Sequence, residues 1–175
     1  MGPLSGNILE VGAGLGWWTK EIQKHAQNGA MITCLERNEQ TFDVLTNYVA
    51  EKRYRNLTTR LGDYYNNDFG NETFDMVLAC WYDAAQTLFQ WSLTIKEASR
   101  ILKNKGTFIF DYPDSKDTKI EYLSSPDNAP YSFVNRDDIE RMANHFDFIK
   151  LHEFVNTNVA HVHTRYQVYQ KRIRT

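Results

Sequence analysis

The stretch Ile8-Leu9-Glu10-Val11-Gly12-Ala13-Gly14-Leu15-Gly16 decides how this chain folds. Asn7–Val11 is a short apolar run stopped by glycines, the pattern of a buried strand entering a tight turn. Trp17–Gln27 follows with Trp18, Ile22 and Ala26 at helical spacing, and Asn28-Gly29 closes it. A glycine turn between strand and helix lets a ligand approach the backbone and the helix N-terminus. The dinucleotide fingerprint needs Gly or Ala three residues after its second glycine, where this chain has Trp17. Glu10, just ahead of the glycines, would face a pyrophosphate unfavourably. A carboxylate there suits a cationic ligand without phosphate.

Working outward, strands and helices alternate. Ala30–Leu35 reads as a second buried strand, closed by Glu36-Arg37, and Gln40–Lys52 as an amphipathic helix. Leu57–Leu61 is a more polar third strand and Phe74–Cys80 a strong fourth one. A helix is expected over Ala84–Leu102, broken near Trp91-Ser92, then a turn at Asn104-Lys105-Gly106 into the strand Thr107–Asp111. Tyr112–Asn135 holds three of the four prolines and reads as a long surface loop. Asp137–His145 is a short helix. Phe146–Val155 and His161–Gln170 are final strands turned by Asn156-Thr157-Asn158, close enough that they must be antiparallel. The pattern predicts an α/β fold: three layers, a doubly wound, mostly parallel seven-stranded sheet, Rossmann-like, with an antiparallel C-terminal hairpin.

Two further acids follow the glycine loop. Glu36 ends the second strand, where a carboxylate can hold two ribose hydroxyls, and Asp63 follows Gly62 at the end of the third. With Glu10 they sit at carboxyl ends of parallel strands, the edge at which open α/β sheets bind ligands.

On these residues the chain resembles the class I, seven-stranded S-adenosylmethionine-dependent methyltransferase superfamily, over nearly its whole length. Ile8–Gly16 matches that family's first motif, and Cys34-Leu35-Glu36-Arg37-Asn38 its acidic ribose motif. Leu61-Gly62-Asp63-Tyr64 resembles the adenine-binding segment, and Phe74–Cys80 the fourth strand, whose end lies beside the reactive methyl. Ala98–Thr107 resembles the turn into the fifth strand, with Asn104-Lys105-Gly106 in place of the usual proline and glycines. The resemblance implies S-adenosyl-L-methionine as cofactor. It assigns cofactor contacts to Glu10, Gly12, Gly14, Gly16, Glu36, Arg37, Gly62, Asp63, Tyr64 and Cys80. It also implies an unusually open site, because one or more helices often precede the first strand in this family and none is expected here.

The acceptor is less legible. Ala79-Cys80-Trp81-Tyr82-Asp83 stands where amino-methylating nucleic-acid and glutamine enzymes carry an Asn/Asp-Pro-Pro-Tyr/Phe box, and that box is absent. Trp81, Tyr82 and Asp83 are substrate-side candidates; equally, the aromatics cap the sheet edge and Asp83 caps the next helix. Cys80 and Cys34 lie in apolar runs and read as packing residues. His161 and His163 share one face of the last strand, but no third ligand is placed by sequence, so no metal site is expected. Tyr112, Asp114 and Tyr131 border the long loop, and no catalytic base is assigned.

Composition fits one domain over residues 1–175, with 42% hydrophobic residues to form a core. A net charge of -2 argues against binding polyanions over the whole surface, so a nucleic-acid partner is not indicated. Arg53, Arg55, Arg60 and the tail Lys171-Arg172-Ile173-Arg174 read as solvated charges. No run approaches the ~18 apolar residues of a membrane span, and no signal peptide is visible, so a cytoplasmic protein is expected. The expected partners are a small-molecule methyl acceptor accepting at O or N, and a second copy or another subunit covering the open site. Two alternatives stay open. One is an RNA or protein methyltransferase, if Arg53–Arg60 line the site mouth; the other is an inactive cofactor-binding subunit, if Trp17 or Trp81 blocks the substrate side.

Overall fold

The computed structural model describes residues 2–80, 86–113, 134–159 and 162–173, without the side chains of 156–159 and 162–163. The first half alternates β1 (Asn7–Val11), α1 (Trp17–His25), β2 (Met31–Glu36), α2 (Glu39–Lys52), β3 (Leu57–Leu61) and β4 (Phe74–Ala79). The second half carries α3 (Leu88–Ile101), β5 (Leu102–Pro113), α4 (Arg136–His145), β6 (Phe148–Val159) and β7 (Val162–Lys171). All seven strands form one sheet in the order β3-β2-β1-β4-β5-β7-β6. The pairs from β3 to β5 are parallel, and β7 runs antiparallel to both β5 and β6. This is the expected sheet, and its strand order reverses between β1 and β4, where open sheets leave a crevice for ligands.

Alternation along each strand divides the core. Leu9, Val11, Val77, Phe108, Phe110 and Phe148 pack with Trp91 and Ile95 of α3 and Ile139 and Ala143 of α4. Ile8, Ile32, Cys34 and Leu78 face the other way, onto Ile22 of α1 and Leu45 of α2. Because α1 and α2 return between β1, β2 and β3, the α1 side of β5, β7 and β6 meets, among the described helices, just the edge of α1, where Trp18 packs 6.2 Å from Tyr166. There Phe154 is 54% exposed, though its ring stacks on Tyr166 at 4.9 Å.

Several boundaries differ from the expected ones, each for a local reason. Helix α3 is unbroken at Trp91-Ser92, because Trp91 is buried against Phe110 and Tyr112 and belongs to its inner face. It starts at Leu88, behind an N-cap Thr87 that forms a reciprocal capping box with Gln90. The expected turn Asn104-Lys105-Gly106 lies inside β5. It is absorbed as an irregularity in the β4–β5 ladder, with Lys105 at φ 64. Tyr112 and Pro113 belong to β5 and Asn135 caps α4, so both ends of the expected loop are structured; its interior, with Asp114 and Tyr131, lies outside the described residues. Asn156-Thr157-Asn158 is strand rather than turn, and Val159 pairs with Val162 across the reversal. The tail is not all solvated: Lys171 is 3% exposed and its Nζ donates to Leu102 O at 2.6 Å. No described helix is long and apolar enough to cross a membrane.

Candidate cofactor site

The site grows from the loop between β1 and α1. Gly14 and Gly16 sit at φ 54 and 81, the left-handed region open to glycine. A Cβ on Gly16 would also stand 3.2 Å from Leu45 Cδ1. As N-cap of α1, Gly16 offers no side chain, and the first turn holds no acid. Glu10 substitutes from the neighbouring strand. Its Oε2 accepts from Thr19 Oγ1 at 2.6 Å and from Cys34 Sγ at 3.2 Å, and the Thr19 backbone N–H also donates to this carboxylate. A carboxylate is favoured beside a helix N-terminus. Burial nevertheless dominates: only 2% exposed, Glu10 has its pKa raised to about 7 despite those hydrogen bonds.

Glu36, at the end of β2, ties the loop to the next strand. Its Oε2 accepts from Gly14 N at 2.9 Å and its Oε1 from Asn38 N at 2.8 Å. Each carboxylate oxygen has a second lone pair, so two hydroxyls of a diol can still be held. Asn38 in turn caps α2, accepting from Thr41 N at 2.9 Å. Beyond β3, Asp63 Oδ1 accepts from Tyr65 N at 2.9 Å, and Tyr64 OH donates to Thr94 O of α3 at 3.3 Å. Arg100 of α3 holds the rest of this connection, donating to Phe69 O at 2.7 Å and Asn67 Oδ1 at 3.2 Å.

These elements enclose a cavity of about 250 Å³, lined by Gly12, Gly14, Glu36, Arg37, Gly62 and Tyr64, with Val11, Leu35 and Thr41. The fold thus gathers six of the ten expected cofactor residues. Asp63 lines an adjoining cavity of about 260 Å³ that shares Leu35 and Gly62. Glu10 lies beneath the loop against Thr19 and Cys34, Gly16 caps α1, and Cys80 is buried just past β4. Burial first, then the carboxylates of Asp111 and Glu10, push the Cys80 thiol well above its ordinary value. Trp81, Tyr82, Asp83 and His161 lie outside the described residues, as does the His163 side chain. Among the described residues no group of three His, Cys, Asp or Glu could hold a metal ion. Sequence reading missed Thr41 and the Thr19–Cys34 pair. Asn38, a capping residue ahead of an acidic first turn, was the available signal for Thr41.

The lining fits a ligand with a diol and no phosphate: a carboxylate and a glycine backbone, with Arg37 as the one cation among the described lining residues. The model of a methyltransferase domain family matches residues 8–106, more than half the chain. The chain belongs to this methyltransferase family. Its fold is that of the class I enzymes, and S-adenosylmethionine is their methyl donor. A protein of Pyrococcus horikoshii OT3 superposes with a TM-score of 0.79 at 18% identity, covering 97% of this chain and 83% of that one. An S-adenosylmethionine-dependent methyltransferase of Methanosarcina mazei gives 0.76 at 14%, covering 97% and 94%. A geranyl diphosphate methyltransferase solved with S-adenosylmethionine gives 0.78 at 11%, covering 98% and 79%. No curated protein matches the chain.

Proposed function

We propose that this methyltransferase acts on an O or N atom of a small molecule, as one cytoplasmic cofactor-binding domain over residues 1–175, its open site covered by a second copy or a partner subunit. The cavity at the ends of β1, β2 and β3 carries the reading. Glu36 holds the ribose diol, the glycine loop admits the methionyl arm, and Arg37, Gly62, Asp63 and Tyr64 surround the adenine. When bound, S-adenosylmethionine supplies a methyl group on sulfonium, already activated for in-line attack by an acceptor lone pair. The chain's own contribution is then orientation and the electrostatics of the acceptor side.

The alternatives lose support on particular residues. Helix α2 starts at the site edge and ends at Lys52, so its C-cap Arg53 and the following Arg55 belong to the far end of the sheet. Arg60 pairs with Asp68 and lies over Phe69. Arg60 alone of the three lines the adjoining cavity, its charge matched by Asp68, which does not favour a basic mouth for RNA or an acidic protein. Trp17 is 77% exposed, with Lys20 Nζ 5.5 Å from its ring, and does not line the cavity. Trp17 therefore leaves the cofactor cavity clear, which favours the enzyme over an inactive subunit as far as that residue is concerned. Incubation with methyl-labelled S-adenosylmethionine and a panel of small acceptors tests the proposal. Labelled small product is expected; label found only on RNA or protein, or on nothing while the cofactor binds, would replace it with one of those alternatives.

A further inference from the structure

The sheet ends in two edges of different character. At one, β3 runs for five residues, Thr58, Thr59 and Arg60 among them, short and polar as protected edges are. At the other, β6 runs for twelve residues without a proline, and no described strand pairs with its outer side. Ile149, Leu151, Phe154 and Val155 along it are between 39% and 54% exposed. Its one lysine does not guard the edge, because Lys150 turns onto the α4 face and pairs with Glu140 and Glu153. An edge of this kind is a template for another strand.

The residue pattern of β6 is complementary to itself. Lys150 pairs with Tyr169 and His152 with the adjacent Val168, so Leu151 is an extra residue and the strand changes phase at a bulge. Before the bulge, Phe148 and Lys150 face α4 and Ile149 the α1 side; after it, Glu153 faces α4 and Phe154 the α1 side. A second β6 laid antiparallel about a twofold axis, with Leu151 and His152 of each copy opposite those of the other, sets bulge against bulge. The change of phase then cancels. Ile149 comes opposite Phe154 of the second copy, both on the α1 side, and Lys150 opposite Glu153, both on the α4 face. Sliding by one residue would set side chains of opposite faces against each other. In this register apolar meets apolar and cation meets anion, and the twofold axis repeats each pair. We propose that a second copy of this chain adds to β6 through this antiparallel pairing, joining two seven-stranded sheets into one. Main-chain hydrogen bonds supply the affinity and the side-chain pairs the register. The cofactor cavities, at the ends of β1, β2 and β3, stay clear of the junction, so the pairing adds an interface rather than a cover for the site.

The test uses the full chain, in sedimentation at rising concentration and in a cysteine-pairing experiment. The unmodified chain is expected to pass from monomer to dimer with a dissociation constant on the order of 10 μM, as suits an interface of one strand per copy. Ile149→Lys and Phe154→Lys, both at exposed positions, are each expected to weaken association roughly tenfold or more at unchanged circular dichroism, because an edge lysine opposes strand addition. Ile149→Cys and Phe154→Cys, mixed in equal amounts and mildly oxidised, are expected to give mainly the mixed disulfide dimer, since these two positions face each other; the native Cys34 and Cys80 are buried. If a lysine variant unfolds, the cysteine pair decides. A chain that stays monomeric throughout, a dimer equally strong in both folded lysine variants, or disulfide dimers as abundant within each cysteine variant alone as in the mixture would overturn the proposal. Each of those results leaves the methyltransferase reading standing, which the labelled-cofactor incubation decides separately.

Discussion

Glu36 holds two backbone amides from two different connections, so the cavity is shaped by the same carboxylate that would hold the ribose. Glu36→Ala is expected to weaken S-adenosylhomocysteine binding by roughly ten- to a hundredfold, the loss of hydrogen bonds to a charged group; unchanged affinity in a calorimetric titration would refute the ribose role. Glu10 behaves differently. Its folded pKa of about 7 lies above the ordinary glutamate value of 4.5, so the folded state binds the extra proton. Stability therefore falls as pH rises from about 4.5 to 7, by an amount on the order of 3 kcal/mol at most, and stays lowered above that range. Glu10→Gln, which removes the titrating proton, is expected to flatten this slope in denaturant titrations repeated across that range; an identical slope would exclude Glu10 as its source. The sequence marked Glu10 as unusual through its place before the glycines, but not its partners. Thr19 and Cys34 reach it only because α1 folds back beside β1 and β2.

Among the elements, α3 matters most to the site, since it begins at the site edge and anchors the 62–71 connection through Thr94 and Arg100. Its start depends on the Thr87–Gln90 capping box. Thr87→Ala is expected to lower stability by about 1 kcal/mol, read as a shifted denaturation midpoint at constant slope. The same element shows where pattern reading fails. Trp91-Ser92 resembled a break because serine disfavours a helix interior, yet Ser92 Oγ turns back to Phe89 O at 2.7 Å and Trp91 fills the core. Asn104-Lys105-Gly106 resembled a turn because its residues tolerate positive φ. The chain uses that tolerance at Lys105, but for a bulge within β5 rather than a reversal. Both errors concern boundaries that pairing and packing decide, while the periodic segments around them were readable.

For the whole molecule, the sheet joins both halves, and an aromatic series runs across the change from parallel to antiparallel pairing. Phe108, Phe110, Tyr169 and Phe148 meet at centroid distances of 4.6 to 6.2 Å. With the hairpin packed on the same core as β4 and α3, unfolding is expected to be one transition. Tryptophan fluorescence and far-ultraviolet circular dichroism should give coincident urea curves; a hairpin melting separately would split them. The alternation of strands and helices, with two closing strands, made this architecture readable in advance. The packing of α1 on the far strands was not, because Trp18 and Tyr166 are far apart in sequence and become neighbours only in the assembled sheet.

The placement of β7 between β5 and β6 has a consequence for the order in which the protein assembles. The parallel strands can pair as they leave the ribosome, but β6, made before β7, pairs with no other strand in the finished sheet. Its row of hydrogen-bonding groups must wait until β7 is synthesised and inserts beside β5. During that interval β6 and the flank of β5 are two open edges in one nascent chain, each able to pair with the wrong strand. Closure comes when Lys171, at the end of β7, reaches Leu102 at the start of β5, so the final residues of the last strand complete a fold begun by the first glycine loop.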